Sequence, residues 1–202
     1  TLEATGPSGA IASFSVTAND AVDGSRPVTC SPASGSTFAL GTTAINCSAS
    51  DLSSNTANGS FNVTVQDTIA PVLTLSADIT TEATGVAGAA VSFTASALDL
   101  VDGAVAVTCS PASGSTFPAG TTAVNCSATD AHNNTANGSF NVTVQDTTAP
   151  VISHHDNMII TTSKKVGATV LFTAPATSDT VDGIGTATCT PASGSLFPLG
   201  VT

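Results

Sequence analysis

The stretch VTCSPASGSTF at residues 28–38 returns letter for letter at 107–117, and a near copy, ATCTPASGSLF, stands at 187–197. A catalytic site is needed once, whereas a string written three times is a building unit. Sliding the sequence by 79 positions lays Glu3-Ala4-Thr5-Gly6 on Glu82-Ala83-Thr84-Gly85, Cys30 on Cys109, Cys47 on Cys126 and Asp67 on Asp146. Sliding it by 80 lays Cys109 on Cys189 and Val101-Asp102-Gly103 on Val181-Asp182-Gly183. Self-similarity at a fixed spacing marks a tandem array, here with copies at 1–67, 68–146 and 147–202. The first copy lacks the counterpart of 68–79, and the third stops before its second cysteine. The parent chain is therefore expected to run on at both ends, with Cys189 lacking its partner for that reason.

Composition excludes several functions. Only 8% of residues are charged, Trp and Tyr are absent, and Ser plus Thr make 59 of 202. The net charge is −11, with Arg26, Lys164 and Lys165 as the only Lys or Arg. Nucleic-acid binding needs cations to neutralise phosphates, and an anionic membrane surface needs the same. Neither is expected as a partner. No apolar run reaches the eighteen or so residues that span a bilayer, so no membrane insertion is expected in this segment.

Within the second copy, Phe93, Ala95 and Ala97 alternate with Ser92, Thr94 and Ser96, and Phe140, Val142 and Val144 alternate with Asn141, Thr143 and Gln145. This is the period of a half-buried strand. Val107 shares a face with Cys109, and Val124 and Ala128 share one with Cys126. Clusters such as Val101-Asp102-Gly103 and Phe117-Pro118-Ala119-Gly120 separate the strands as turns do. No helical period stands out. About seven strands in each period predict an all-β fold: tandem immunoglobulin-like β-sandwich repeats of about 79 residues.

The alternation turns each cysteine inward. Pairs Cys30–Cys47 and Cys109–Cys126 would then tie two strands across the core, the alternative being reduced, buried thiols. Closing such a loop contributes on the order of 3 kcal/mol, a large share for small units with two or three Phe each. Paired cysteines in a Lys-poor, Thr-rich chain predict an oxidising compartment.

The pattern carried by Gly114 to Thr122, Val124 to Asp130, Asn134 to Ala136, Ser139 to Val144 and Asp146 to Pro150 resembles the hyalin repeat, in all three copies and over essentially the whole chain. The resemblance implies an extracellular or cell-surface immunoglobulin-like module used in adhesion and in multidomain surface proteins, and no catalytic residue. One departure concerns the cysteines. Animal members tend to place them near the first strand and in the last, where this chain has Leu75 and Gly138-Ser139. Animal partners are therefore not carried over.

Three groups of residues are candidate sites. Asp99/Asp102 and Asp179/Asp182 recur as Asp-x-x-Asp-Gly, Asp130 sits in a late turn, and Asp67 and Asp146 close their copies. In a sandwich of this topology Asp99, Asp102 and Asp130 gather near the linker that holds Asp67. Such an oxygen-rich environment suits Ca2+ at inter-repeat junctions; otherwise each Asp serves its own turn. Asn46, Asn58, Asn62, Asn125, Asn133, Asn137 and Asn141 head Asn-x-Ser/Thr glycosylation acceptors. His154-His155-Asp156 suggests a metal or a catalytic group, but neighbours on a strand point to opposite faces. His132 or His154 in a Ser/His/Asp triad would lack a nucleophile motif.

The function expected from the sequence is a non-catalytic extracellular stalk, shaft or filament, with neighbouring repeats of the same chain or identical chains as partners. Two alternatives come from other classes. One is an accessory repeat region of a secreted enzyme. The other is a Ca-dependent carbohydrate-binding module, which the lack of Trp and Tyr disfavours.

Overall fold

The computed structural model describes residues 1–202. Every regular element in it is a strand, and no helix is long and apolar enough to cross a membrane. The fold is a series of tandem β-sandwich repeats. The chain divides into two compact units: Thr1–Ser76 with Thr94–Ala112 and Asn125–Ser139, and Ala77–Phe93 with Ser113–Val124 and Phe140–Thr202.

In the first unit a four-stranded sheet runs Leu2–Glu3, Thr56–Gln66, Gly41–Ser50, Val28–Ser31. Its long hairpin pairs from Gly41 with Val65 to Ser50 with Thr56, while Leu2–Glu3 lies parallel to the other hairpin arm. Two small ribbons, Ala10–Ala12 with Ser36–Phe38 and Ala18–Asp20 with Gly24–Arg26, complete this copy. Ala4, Ala10, Ala12, Phe38, Ile45, Cys47 and Val65 form its core. Ala carries much of that list, so the larger side chains supply most of the buried apolar area. Phe14 meets Phe61 edge to face at 5.0 Å. In the same unit Val72–Leu75 pairs with Ala95–Asp99. A Cβ placed on Gly138 would stand 2.9 Å from Leu75 Cδ1. Leu75 thus packs directly on Gly138.

The second unit repeats these devices. Ile79–Glu82 lies parallel to Thr135–Gln145, with Ile79 opposite Val142 and Glu82 opposite Gln145. Phe117, Val124, Phe140, Val142 and Val144 are buried, and Phe93 meets Phe140 at 4.9 Å. The third copy contributes Val151–Ile152, Ala176–Asp179 and Gly183–Thr186 as one sheet, and Ala168–Thr169 with Leu196–Phe197.

The repeated string now has a mechanical reading. The backbone between Ala89–Ala90 and Ala95–Asp99 leaves the ladder, and a serine from the string pins it there. Ser113 Oγ accepts from Phe93 N–H at 2.9 Å and donates to Phe93 O at 2.8 Å. Ser34 accepts from Phe14 N–H, and Ser193 from Phe172 N–H, at the same 2.9 Å. The phenylalanine at the end of the string (Phe38, Phe117, Phe197) presses its carbonyl onto a glycine. Gly88 has φ +99°, and a Cβ there would lie 1.8 Å from Phe117 O. Only glycine accommodates both the dihedral and the contact.

The disulfides form between the expected cysteines, Cys30–Cys47 and Cys109–Cys126, but not across the core. Each joins neighbouring strands of one sheet. Cys109 and Cys126 are direct register partners, as are Cys30 and Cys47, with Cα atoms 4.0 Å apart. Alternation assigns a residue to a face but does not say whether its partner lies opposite or alongside, and here the ladder places the two alongside.

Candidate metal centre

Asp67 follows the strand Thr56–Gln66, Asp99 ends Ala95–Asp99, Asp102 lies in the next turn and Asp130 follows Gly120–Thr129. All four belong to the first compact unit. One carboxylate oxygen from each lies within 4.8 Å of the others. Asp67, Asp99 and Asp130 are 7%, 5% and 6% exposed, and Asp102 is half-buried.

Local turns aim these carboxylates. Asp99 Oδ1 accepts the N–H groups of Val101 and Asp102 at 2.7 and 3.0 Å. Asp179 Oδ1 does the same with Val181 and Asp182. Asp130 Oδ1 accepts from the backbone of His132 and Asn134, and its Oδ2 from the Asn134 side-chain amide at 2.8 Å. The Asn134 amide also donates to the carbonyl oxygen of Asp67 at 3.2 Å. Asp67 Oδ1 accepts from Ile69 N–H, but its Oδ2 is buried and accepts no hydrogen bond. His132 Nδ1 stands 3.1 Å from Asp102 Oδ2 and 3.3 Å from Asp67 Oδ2.

The charges respond to this crowding. The hydrogen bond to Asp102 raises the His132 pKa above its ordinary value; burial opposes this, and the charges of Asp102, Asp67 and Asp130 add to it. For Asp130, burial pushes the carboxyl up, but the hydrogen bonds from Asn134 and His132, with the imidazole charge, outweigh it and leave the pKa lowered. The Asp179 carboxyl is held low by the backbone N–H groups of Asp182 and Val181, against burial.

The second unit gathers Asp146, Asp179 and Asp182, again with one oxygen from each within 4.8 Å. These are the counterparts of Asp67, Asp99 and Asp102. The seven acceptor asparagines are all exposed; Asn46 faces Ser60, and Asn58 faces Ser48, across the long hairpin. His154, His155 and Asp156 are exposed and lie beyond Val151–Ile152 rather than in it, with His154 Nε2 3.3 Å from Asp156 Oδ1.

Three residues around the junction escaped the sequence reading. His132, by sequence a candidate only for a triad, faces the acidic cluster. Val101, between Asp99 and Asp102, belongs to the same buried cluster as the first copy's Ala4, Phe38, Ile45 and Val65. Its counterpart Val22 is 92% exposed, while Val101 is 9% exposed. Val101→Ala is expected to lower stability by about 1–2 kcal/mol, at ~0.8 kcal/mol per buried methylene-sized group. Val22→Ala should leave it unchanged, and urea unfolding of the two variants makes the comparison.

Glu82 is the third. Its carboxylate accepts the backbone N–H and hydroxyl of both Thr147 and Thr148, at 2.6–3.1 Å. Glu3 binds Thr68 N–H and hydroxyl at 2.7 Å. Each glutamate thus fastens the segment that leaves its own copy. The backbone N–H and then the hydroxyl of Thr147, opposed by burial and aided by Thr148, hold the Glu82 pKa below its ordinary 4.5. With the folded value depressed, the contribution is complete above pH 4.5 and is lost as pH falls through the folded pKa. Hydrogen exchange at the Thr147 and Thr148 amides should therefore lose protection in acid, and Glu82→Ala should lose it already at neutral pH.

Residues 5–65 and 66–144 each match the HYR domain. The chain belongs to the HYR domain family. This HYR chain is 35% identical over 176 residues to a hyalin of Strongylocentrotus purpuratus, a match covering 83% of this chain and 15% of that relative. It is 33% identical over 178 residues to a hyalin of Lytechinus variegatus, covering 83% of this chain and 34% of the relative. The HYR chain thus spans about a third or less of the length of these relatives. Among solved structures, mouse cadherin-23 EC22-24 is 12% identical with a TM-score of 0.34, covering 96% of this chain and 83% of that one.

Proposed function

We propose that this HYR array is a non-catalytic, extracellular structural or adhesion segment. Its copies, 1–67, 68–146 and 147–202, serve as semi-rigid links of a stalk, shaft or filament, with neighbouring repeats or identical chains as partners. The observation that carries the reading is the burial of Val101 in the core cluster of the preceding copy. The Glu3 clamp on Thr68 acts in the same direction. Disulfides persist in oxidising surroundings, and three Lys plus Arg in 202 residues give trypsin-like proteases little to cut. Divalent cations at the junctions and glycans on the exposed asparagines belong to the same reading.

Negative-stain microscopy of the array tests it. The longest strands have eleven residues and span ~3.7 nm at about 3.4 Å per residue. Beaded threads with a repeat of roughly that length are expected. Compact particles without a repeat would remove the structural role.

A further inference from the structure

We propose that Asp67, Asp99, Asp102 and Asp130 form a binding site for a hard divalent cation, with Ca2+ as the ion that fits. The inference deepens the junction reading above, because Asp67 comes from the end of one copy and the other three acids from loops of the next. Clustered acids alone are common on protein surfaces, but this cluster has features that point to a ligand. Three of its carboxylates are at least nine-tenths buried. The Asp67 side chain is 1% exposed, and its Oδ2 accepts no hydrogen bond while lying among the other acids. A buried carboxylate oxygen that accepts no hydrogen bond is costly, and a cation removes that cost and the repulsion together.

His132 is the basic side chain beside the cluster, with Nδ1 3.3 Å from Asp67 Oδ2. One imidazole, even when protonated, is outnumbered by the four acids. The counterpart of His132 in the first copy is Ser53, whereas Asp99, Asp102 and Asp130 recur there as Asp20, Asp23 and Asp51. The acids therefore repeat without the histidine. Their arrangement repeats as well, since Asp146, Asp179 and Asp182 converge in the second unit.

The donor set selects the ion. Ca2+ takes six to eight oxygens at about 2.3–2.6 Å, so its ligand shell is about 4.6–5.2 Å across. Oxygens within 4.8 Å of one another fit inside such a shell. Mg2+ demands a tighter octahedron and keeps its waters. Asp67, Asp102 and His132 also group by themselves, a nitrogen-containing set suited to Zn2+ or Mn2+. The four-carboxylate set is the larger and holds all three buried acids.

The test is calorimetric titration of CaCl2 into chelator-treated chain, with melting curves on the same samples. Binding in the 10⁻⁴–10⁻³ M range typical of extracellular modules is expected, together with a rise in Tm that grows with calcium. Asp67→Asn and Asp99→Asn should each weaken this binding ten-fold or more. Asp67→Asn is the safer variant, because the oxygen it alters accepts no hydrogen bond and the cation-free chain should melt no lower than the parent. Asp146→Asn separates the two clusters and should leave the Asp67-dependent heat intact. Absence of heat and of any Tm change overturns the site. So does binding indifferent to Asp67→Asn, or Zn2+ binding lost in His132→Ala while Ca2+ gives no signal. Beaded threads seen without calcium binding would sink the cation site and leave the array standing.

Discussion

Phe117→Ala is expected to destabilise the second repeat by about 3–5 kcal/mol, the range for truncating a fully buried phenylalanine. The side chain is completely buried, and the copy has only two other Phe, Phe93 and Phe140, which pack on each other. A core rich in alanine has few long side chains able to swing into the space left behind, so most of the cavity would persist. For a unit of this size each kcal/mol moves Tm by about 4–8 °C, so the transition should shift by more than 10 °C. Substitution of exposed Leu98, which is 64% solvent-accessible, should shift it by less than a degree or two. Differential scanning calorimetry distinguishes these outcomes. A small shift for Phe117→Ala would mean that the repeat is not held by a core of its own.

Removing the bridge, by Cys109→Ala with Cys126→Ala, is the second large effect. The sequence separation is 17, for which the chain-entropy estimate gives about 3 kcal/mol. The bridge joins register partners in one sheet rather than two sheets, so the sandwich layers should stay packed without it. The expected result is a folded repeat with a lowered Tm and unchanged far-ultraviolet circular dichroism at low temperature. Reductant should lower the Tm of the parent chain through both bridges, and that of the double variant only through the Cys30–Cys47 bridge it keeps. Loss of the fold altogether would show that the bridge closes the core after all.

Much of this architecture could be read from the chain. The alternation of Phe140, Val142 and Val144 with polar residues marks a strand buried on one face, and those three residues are buried. The recurrence of the cysteines identifies the partners. Their placement within one sheet was not legible, because facing inward from the same sheet and from opposing sheets leaves the same pattern. Val101 was illegible for another reason. It and Val22 occupy equivalent places in their repeats, yet Val101 is buried and Val22 exposed. Glu82 reaches threonines 65 and 66 residues away, too far for any local pattern, although Glu-Ala-Thr-Gly recurring at the same place in two copies marked the position. His132 was not legible as part of the cluster because the first copy carries Ser53 at that place.

The central claim is that the copies are successive sandwiches, the first two each holding its own intrasheet bridge. Pulling the chain from its ends in a single-molecule force experiment tests it most directly. At about 3.6 Å per extended residue, a copy of 79 residues releases about 28 nm of contour when reduced and about 22 nm when its bridge withholds 17 residues. The account predicts separate unfolding peaks, with the spacing of the two bridged copies growing by about 6 nm on reduction. A single event releasing the whole chain at once, or a spacing indifferent to reductant, would contradict it.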